Sequence, residues 1–289
     1  MSGLIKRNLK IFFKDTGAVF WSLFGALIVL ILYVFFLGDL MVKEAEASMG
    51  DLAKPFVFTW VFSGMISIVS FTTTFGAFTS VVTDRVNKIE KDLLASPLPR
   101  WQISGAYLVA AVVIGMVMSL AVYAFALIYL AILGAPSSTF SFSVIIQTIG
   151  LIALSTLSNT SILLCIALWI KTIDAFAALT AVFSASLGFF TGTYVQIGIM
   201  PEFVQSIIKL FPLSHSAMLI RKVMMQPYFG GPAFAGAPVE VVNEIKADMG
   251  FNFLVGGKIL PTWVSFVVTI GVFIIFSIVA VAITLKKKK

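Results

Sequence analysis

Long apolar runs alternate with short polar segments along the whole chain. Stretches without Asp, Glu, Lys or Arg cover residues 16–38, 55–83, 101–170, 175–201 and 259–285. The third stretch is too long for one membrane helix, and the turn-forming residues 134–138 (Gly-Ala-Pro-Ser-Ser) divide it. Because a bilayer core requires about 20 apolar residues per helix, the pattern predicts an all-α membrane protein. The six predicted spans are residues 17–37, 57–80, 103–133, 142–170, 175–198 and 262–285.

Basic residues are concentrated on one side of the predicted spans. Six crossings place both termini on the same side, and the positive-inside rule makes the basic side cytoplasmic. The segments assigned to that side hold most of the 20 Lys and Arg residues, including Lys6, Arg7, Lys10, Lys14, Arg85, Lys88, Lys91, Arg100, Lys171 and the lysines at 286–289. We therefore expect cytoplasmic N- and C-termini, with a single transmembrane permease domain over residues 1–289.

Composition supports lipid as the main solvent. The chain has 289 residues, of which 60% are hydrophobic and 11% charged, and its mean hydropathy is +1.05. A soluble domain carries about 25% charged residues. The net charge of +7 would also suit nucleic-acid binding, but the basic residues lie at the ends of apolar runs, so no nucleic-acid partner is expected.

The N-terminal residues 4–15 have the pattern of a helix lying in the membrane interface. One helical face is apolar and the opposite face is basic, which would direct the charged side chains toward anionic lipid headgroups. The apolar face comprises Leu4, Ile5, Leu9, Phe12 and Phe13, and the basic face Lys6, Arg7, Lys10 and Lys14. The alternative is a basic cluster that serves topology alone.

The second segment is the predicted cytoplasmic helix at 82–96. Val82, Val86, Ile89 and Leu93 recur at spacings of four, three and four, and Pro97 and Pro99 follow them. The charged residues of this segment are Asp84, Arg85, Lys88, Glu90, Lys91 and Asp92. A charged helical face suits docking to a soluble partner, whereas the alternative is a solvated loop helix resting on the membrane.

The third segment, residues 199–220, is expected on the outer side. Its apolar run between Pro201 and Pro212 is too short to cross a bilayer, which indicates a re-entrant or interfacial hairpin. The residues assigned to it are Pro201, Phe203, Ile207, Leu210, Phe211, Pro212 and His215. The alternative is a surface helix that caps the bundle. Residues 221–261, with Pro227, Gly230, Gly231, Pro232, Gly236 and Pro238, are predicted as an outer loop.

Two sets of polar residues are candidates for chemistry or transport. His215 is the only histidine and lacks partner ligands in the sequence, so we expect it to form hydrogen bonds within the outer segment and not to bind a metal. A polar run occupies the middle of the fourth span. Small polar residues there usually mediate close helix packing, and a pathway-lining role is the alternative for Ser155, Ser158 and Asn159.

The sequence carries no recognisable catalytic motif. The six predicted spans contain no Asp, Glu, Lys or Arg, and an intramembrane carboxylate is the usual device of an ion-coupled carrier. The chain has no G-x-x-x-x-G-K-[ST] phosphate loop and no H-E-x-x-H sequence. We therefore expect a transport subunit that has no ATPase, cofactor or metal site of its own.

These features together resemble the permease subunit of type-2 ABC (ATP-binding-cassette) exporters over essentially the whole chain. Residues 93–98 (Leu-Leu-Ala-Ser-Pro-Leu) are similar to the leucine-rich Ser-Pro-Leu run of the family, and residues 200–221 to its outer re-entrant hairpin. Ser214 stands where Thr is common. Lys14-Asp15 resembles the pair that leads into the first span, although the proline often found in that helix is absent here.

The resemblance implies a dimer of two identical or homologous permeases on two ABC ATPase subunits, which bind ATP and Mg²⁺. The helix at 82–96 would then be the coupling helix, and the substrate an amphipathic or lipid-like molecule (drug, antimicrobial peptide or lipid-linked molecule) moved outward across a bacterial plasma or inner membrane. The main alternative is an ATP-independent carrier or channel. A lipid-modifying membrane enzyme and a partner-binding immunity protein are further alternatives.

Overall fold

The computed structural model describes residues 1–231, 234–235, 238–255 and 258–286, and nearly all of them are helical. Predicted loop residues Pro232 and Gly236 and the terminal lysines 287–289 lie outside the described residues. The helices are α1 (Ser2–Lys14), α2 (Thr16–Leu32), α3 (Gly38–Met49), α4 (Ala53–Ala77), α5 (Thr79–Val86), α6 (Ile89–Ala95), α7 (Arg100–Ile132), α8 (Phe142–Trp169), α9 (Ile173–Phe190), α10 (Glu202–Leu210), α11 (Pro212–Phe229), α12 (Val239–Asp248) and α13 (Thr262–Lys286).

Within the described part of the chain, six helical segments are long and apolar enough to cross a membrane, which confirms the predicted all-α membrane fold. Three of their helices, α2, α8 and α9, begin at a side-chain cap. The Asp15 carboxylate accepts a hydrogen bond from Ala18 N (2.9 Å), at the start of α2. The Ser141 hydroxyl accepts one from Val144 N at 3.4 Å, at the start of α8. The six segments are 16–46, 50–86, 101–132, 142–169, 173–190 and 262–284.

Helix α4 is the centre of the bundle. Its most apolar window is buried completely, and it packs against α2, α3, α7, α8, α9 and α11. Its hydroxyl side chains bond back to the carbonyls of the preceding turn, for example Thr73 Oγ1 to Val69 O and Thr74 Oγ1 to Ser70 O, both at 2.6 Å. These bonds satisfy polar groups that no water reaches. By contrast, α2, α9 and α13 leave most of their apolar surface exposed, as lipid-facing helices do.

The first membrane helix is longer than predicted. The sequence places its end at residue 37, but a π-helical turn, Tyr33–Leu37, joins α2 to α3 without a break. The Tyr33 hydroxyl donates a hydrogen bond to Thr193 O at 2.8 Å, and such single-turn π segments accommodate one extra residue in a helix. The polar residues of α3 therefore extend the helix beyond its apolar part.

The fifth membrane helix is shorter than predicted. The predicted span reaches residue 198, but α9 ends at Phe190 and residues 191–200 form an irregular segment. Gly192 adopts a positive φ of 63°, a conformation that favours glycine. The carbonyl of Gly188 accepts bonds from Thr193 N (2.8 Å) and Tyr194 N (3.1 Å), which closes the end of the helix. Local turn chemistry thus overrides the apolar pattern.

The region after α9 holds the shortest elements. Helices α10 and α11 meet at Phe211 with a bend of 91° between their axes. Helix α12 follows, and Leu254–Val255 pairs antiparallel with Lys258–Ile259 in a two-residue hairpin (β1 and β2). Part of the predicted loop 221–261 is therefore helical, because α11 continues to Phe229 and α12 adds Val239–Asp248.

Candidate functional site

The α4–α7 linker, residues 78–99, contains two short helices where the sequence predicts one. Helix α5 ends at Val86 and α6 starts at Ile89, with Lys88 between them at a left-handed φ of 64°. The predicted apolar face is also wrong, because Val82 is fully buried whereas Val86 is 44% exposed. The break lets Arg85 fold back to Glu90, with Nε to Oε2 at 3.0 Å. The single helix that the periodicity predicts is therefore divided in two at Lys88.

The sequence suggested that Asp84 lies on an exposed charged face, but its side chain turns into the protein. It is 3% exposed. Arg7 on α1 donates two hydrogen bonds to its carboxylate, at 2.6 and 2.7 Å, and the Tyr107 hydroxyl on α7 donates a third, short one. These bonds to Asp84 raise the pKa of Arg7 above its ordinary value, against the lowering effect of burial. A buried carboxylate requires such partners, and here they tie α5 to α1 and α7.

Arg85 also points inward, toward the end of α8. Its Nη1 donates hydrogen bonds to Ala167 O (3.1 Å) and, at shorter range, to Ile170 O. These carbonyls belong to the last turn of a helix, where backbone acceptors lack partners and a cation is favoured by the helix dipole. Two adjacent residues of the linker, Asp84 and Arg85, therefore contact three different membrane-spanning or interfacial helices.

The exposed charge of the linker lies around α6. Lys88, Lys91 and Asp92 are exposed, and Glu90 is half-buried beside Arg85. Of the six predicted coupling residues, the structure thus separates two inward anchors from an outer charged patch. We call Lys88, Lys91 and Asp92 the linker patch.

Helix α1 lies against protein as well as presenting a basic face. Its predicted apolar residues Leu4 and Phe12 are buried, packed mainly on α7, and Phe13 is exposed. Lys6, Lys10 and Lys14 are exposed, as the amphipathic pattern predicts, whereas Arg7 turns toward Asp84. The predicted basic face therefore divides into three outward lysines and one inward anchor.

The predicted outer hairpin corresponds to the bent pair α10–α11. The apolar residues assigned to it mostly point out of the protein, since Phe203 is 76% and Leu210 82% exposed, and Ile207 is also exposed. Ile208 is the residue that α10 buries. Pro201 and Pro212 stand at the N-terminal ends of α10 and α11. Phe211, at the bend, stacks on the Phe190 ring at 4.3 Å between centroids.

His215 is buried and joins the bent pair to the last membrane helix. Its Nε2 lies 2.8 Å from Lys209 O, so this nitrogen is the donor, and its Nδ1 lies 2.9 Å from the Ser265 hydroxyl on α13. The sequence predicted contacts within the outer segment, and the bond to α13 adds a second one outside it. Among the described residues, no group of three His, Cys, Asp or Glu side chains could hold a metal ion.

Arg221 is a functional-site candidate that the sequence reasoning did not single out. The side chain is completely buried at the end of the bundle opposite the linker. Its guanidinium donates to Met249 O (3.0 Å), Gly250 O (3.4 Å) and Thr191 O (2.9 Å), and its Cζ lies 5.3 Å from the Trp60 ring centroid. The signal that could have indicated it is an arginine within the largely apolar run 216–225, where Lys222 is the other charged residue.

The polar residues of α8 lie at its contact with α4. Ser155, Ser158 and Asn159 are at most 1% exposed, and Asn159 Nδ2 donates to Ser70 Oγ (3.2 Å) and Ser155 Oγ (3.4 Å). Ser70 also bonds to Thr156 Oγ1 at 3.1 Å. The arrangement of Ser155 and Asn159 is that of close helix packing, and a pathway at these two residues would require α4 and α8 to separate.

A family model described as ABC-2 type transporter matches residues 1–225. Curated proteins give no match to the chain. The matched residues include α1, the α4–α7 linker, α10 and most of α11. Proteins of this family are membrane components of ABC transporters and typically pair with ABC ATPase subunits. Because the match extends over well more than half of the 289 residues, the chain belongs to the ABC-2 type transporter family and is a multi-pass membrane permease.

Proposed function

We propose that this chain is the permease subunit of an ATP-driven exporter. It works as one of two identical or homologous permeases on two ABC ATPase subunits, which hold ATP and Mg²⁺. The substrate is amphipathic or lipid-like (a drug, an antimicrobial peptide or a lipid-linked molecule) and moves outward across the plasma or inner membrane of a bacterium. The contact of Asp84 and Arg85 with three helices, beside an exposed charged patch, is the observation that carries this proposal.

The α4–α7 linker provides a path for mechanical force. A motor that grips the linker patch would pull on α5 and α6, and the Asp84 contacts would pass that displacement to α1 and α7. The Arg85 contacts would pass it to the end of α8. Buried, charge-assisted hydrogen bonds are short and directional. They therefore couple the linker helices α5 and α6 to α1, α7 and α8 more tightly than a solvated loop would.

The placement of charge supports an external energy source. Asp84, at the end of the second spanning segment, is occupied by its bonds to Arg7 and Tyr107. Arg221 is held by backbone carbonyls, and an arginine does not release its proton in the physiological range. A carrier driven by protons requires a group that gains and loses charge, whereas a permease driven by an ATPase does not.

The exposed apolar surface supports an amphipathic or lipid-like substrate. Helices α2, α9 and α13 present bulky side chains such as Trp21, Val182 and Ile278 outward. A molecule dissolved in the bilayer could therefore approach the bundle laterally, without crossing a polar vestibule. With the termini in the cytoplasm, as the basic residues indicate, the α10–α11 pair lies on the outer side as a re-entrant hairpin.

The decisive experiment tests the linker patch as the ATPase docking site. The variant Lys88→Glu/Lys91→Glu reverses exposed charge and leaves the inward anchors intact. We expect it to insert normally but to lose co-purification with the ATPase subunits. The matched control is Lys54→Glu, an exposed lysine in the first turn of α4 at the opposite end of that helix, which should retain the complex.

Transport completes the test. In proteoliposomes, the permease and its ATPase should transport an amphipathic substrate only with ATP and Mg²⁺. The substrate should move from the side that carries the ATPase to the opposite side. Unchanged complex formation in the double variant would refute docking at the linker patch. Uphill transport by the permease alone, without nucleotide, would refute the proposal in favour of an ATP-independent carrier.

A further inference from the structure

A cavity of about 230 Å³ opens at the end of the bundle that holds α12. It lies between α3, the start of α4, the segment 191–200 and α12. An apolar cavity of about 150 Å³ is already large enough for a benzene molecule, so this one accepts a ring-bearing group. Its residues Phe234, Ile245, Asp248 and Met249 lie beyond the residues 1–225 that the family model matches.

Flexible methionine side chains and aromatic rings form much of the cavity wall. Met41, Met49 and Met249 line it, together with Phe56 and Phe234. The Phe56 and Phe234 rings are 6.1 Å apart. Methionine side chains adapt to ligands of different shape and contact aromatic rings favourably, and the face of an aromatic ring attracts a cation. These walls suit a ligand that combines apolar groups with positive charge.

Two carboxylates stand in the same cavity. Glu44 on α3 is exposed at its edge, and Asp248 at the end of α12 is partly buried, with its side chain against Gly198. Burial, followed by the negative charge of Glu244, raises the pKa of Asp248. Among the described residues that line the cavity, none is basic. A cation bound there would be attracted by both carboxylates.

The nearest lysine of α12 is directed elsewhere. Lys246 Nζ lies 4.9 Å from the Phe229 ring centroid and 5.5 Å from that of Phe251. These cation–π contacts hold its ammonium group on two aromatic rings, and Lys246 is not among the residues that line the cavity. Glu44 and Asp248 are therefore the charged side chains among the described lining residues.

We propose that this cavity binds a lipophilic organic cation, one with aromatic or branched apolar groups around a single positive charge. It is the outer-side binding site of the permease for such a substrate, an assignment that rests on the proposed function. The cation lies between the carboxylates of Glu44 and Asp248, and its apolar groups contact the methionines and Phe56. Charge and apolar contact act together here, because the carboxylates favour the cation over neutral and anionic analogues and the apolar walls favour it over small hydrophilic cations.

The test uses the purified full chain in detergent and two probes of nearly equal shape and opposite charge. Tetraphenylphosphonium should bind in calorimetric titration, and tetraphenylborate should bind at least tenfold more weakly. The variant Glu44→Gln/Asp248→Asn should weaken phosphonium binding at least tenfold, and Glu44→Lys should weaken it similarly. Glu240→Gln, an exposed carboxylate in the first turn of α12 that is not among the cavity residues, is the matched control and should bind normally.

Equal affinity for the two probes would overturn the proposal, and so would unchanged binding in both cavity variants. Melting temperatures of all variants separate loss of binding from loss of folding, and Glu44→Lys, at an exposed position, keeps the test valid if the double variant is unstable. The titration requires neither ATP nor the ATPase. A chain that binds tetraphenylphosphonium but no ATPase would therefore contradict the proposed function alone, whereas a coupled complex without phosphonium binding would contradict this site alone.

Discussion

Arg7 and Asp84 are 77 positions apart in the chain, and their side chains form a two-bond ion pair at 2.6 and 2.7 Å. The pair joins the N-terminal helix to the linker that follows α4. Its carboxylate is buried whereas its guanidinium is about one third exposed, so most of the desolvation cost falls on Asp84. Removal of Arg7 would leave that buried charge with the Tyr107 hydroxyl as its remaining partner.

The first prediction concerns this ion pair. We expect Arg7→Gln and Asp84→Asn each to lower the free energy of unfolding by about 1.5–3 kcal/mol, the usual contribution of a hydrogen bond to a charged group. Both should also reduce the number of substrate molecules moved per ATP hydrolysed, because α1 no longer follows the linker. Lys10→Gln, an exposed change on the same helix, is the control. A double variant as damaging as the sum of the two single variants would show that the pair does not act as a unit.

The second prediction concerns Arg85 and the end of α8. Arg85→Ala should leave Ala167 O and Ile170 O without their side-chain donor, and we expect faster hydrogen exchange in residues 167–173. ATPase binding should persist because the linker patch is unchanged, whereas transport should fall. Lys88→Ala should leave exchange at the end of α8 unaltered. Equal exchange in the wild type and Arg85→Ala would contradict the anchoring role.

The third prediction concerns Arg221. Arg221→Leu removes the side-chain donor of Thr191 O and Gly250 O, whereas Met249 O keeps its bond from Trp60 Nε1, and each unpaired buried acceptor costs about 1–3 kcal/mol. We therefore expect a large fall in the melting temperature in detergent and early proteolysis within 191–200 and 246–253. Arg221→Lys should recover only part of the stability, since an ammonium group cannot span all of these acceptors. Lys54→Ala should melt like the wild type.

The fourth prediction tests the packing of α4 against the segment after α9. A Cβ at Gly64 would overlap Thr193 Oγ1, so Gly64→Ala should destabilise the protein by about 1–3 kcal/mol. Adding Thr193→Ala should restore part of that loss. The control is Gly25→Ala on α2, where a Cβ meets no neighbouring atom and where alanine favours the helix. Comparable melting temperatures for the two glycine variants would contradict this packing.

The sequence predicted the features that depend on long apolar runs. Six membrane helices and the turn at 134–138 follow from hydropathy and local propensity. Each of these signals lies within a short stretch of sequence, so it can be interpreted without knowledge of the folded structure. The matched family model then agrees with the resemblance inferred from the motifs.

The features that the sequence missed depend on contacts between distant residues. The helical periodicity of Val82 and Val86 is real, but the helix breaks at Lys88, and Arg85 reaches Ile170 O, 85 positions away. No pattern near Arg221 shows that carbonyls from residues 191 and 249 will surround it. Such partners become visible only when the chain is folded.

The π-helical turn at Tyr33–Leu37 sets the rotation of α3 relative to α2 about their common helix axis. A single residue of an α-helix corresponds to about 100° of rotation, so the extra residue of this turn offsets α3 from α2 by roughly that angle. As a result α2 can show its aromatic residues to lipid while α3 packs on α4 and holds Glu44 at the cavity.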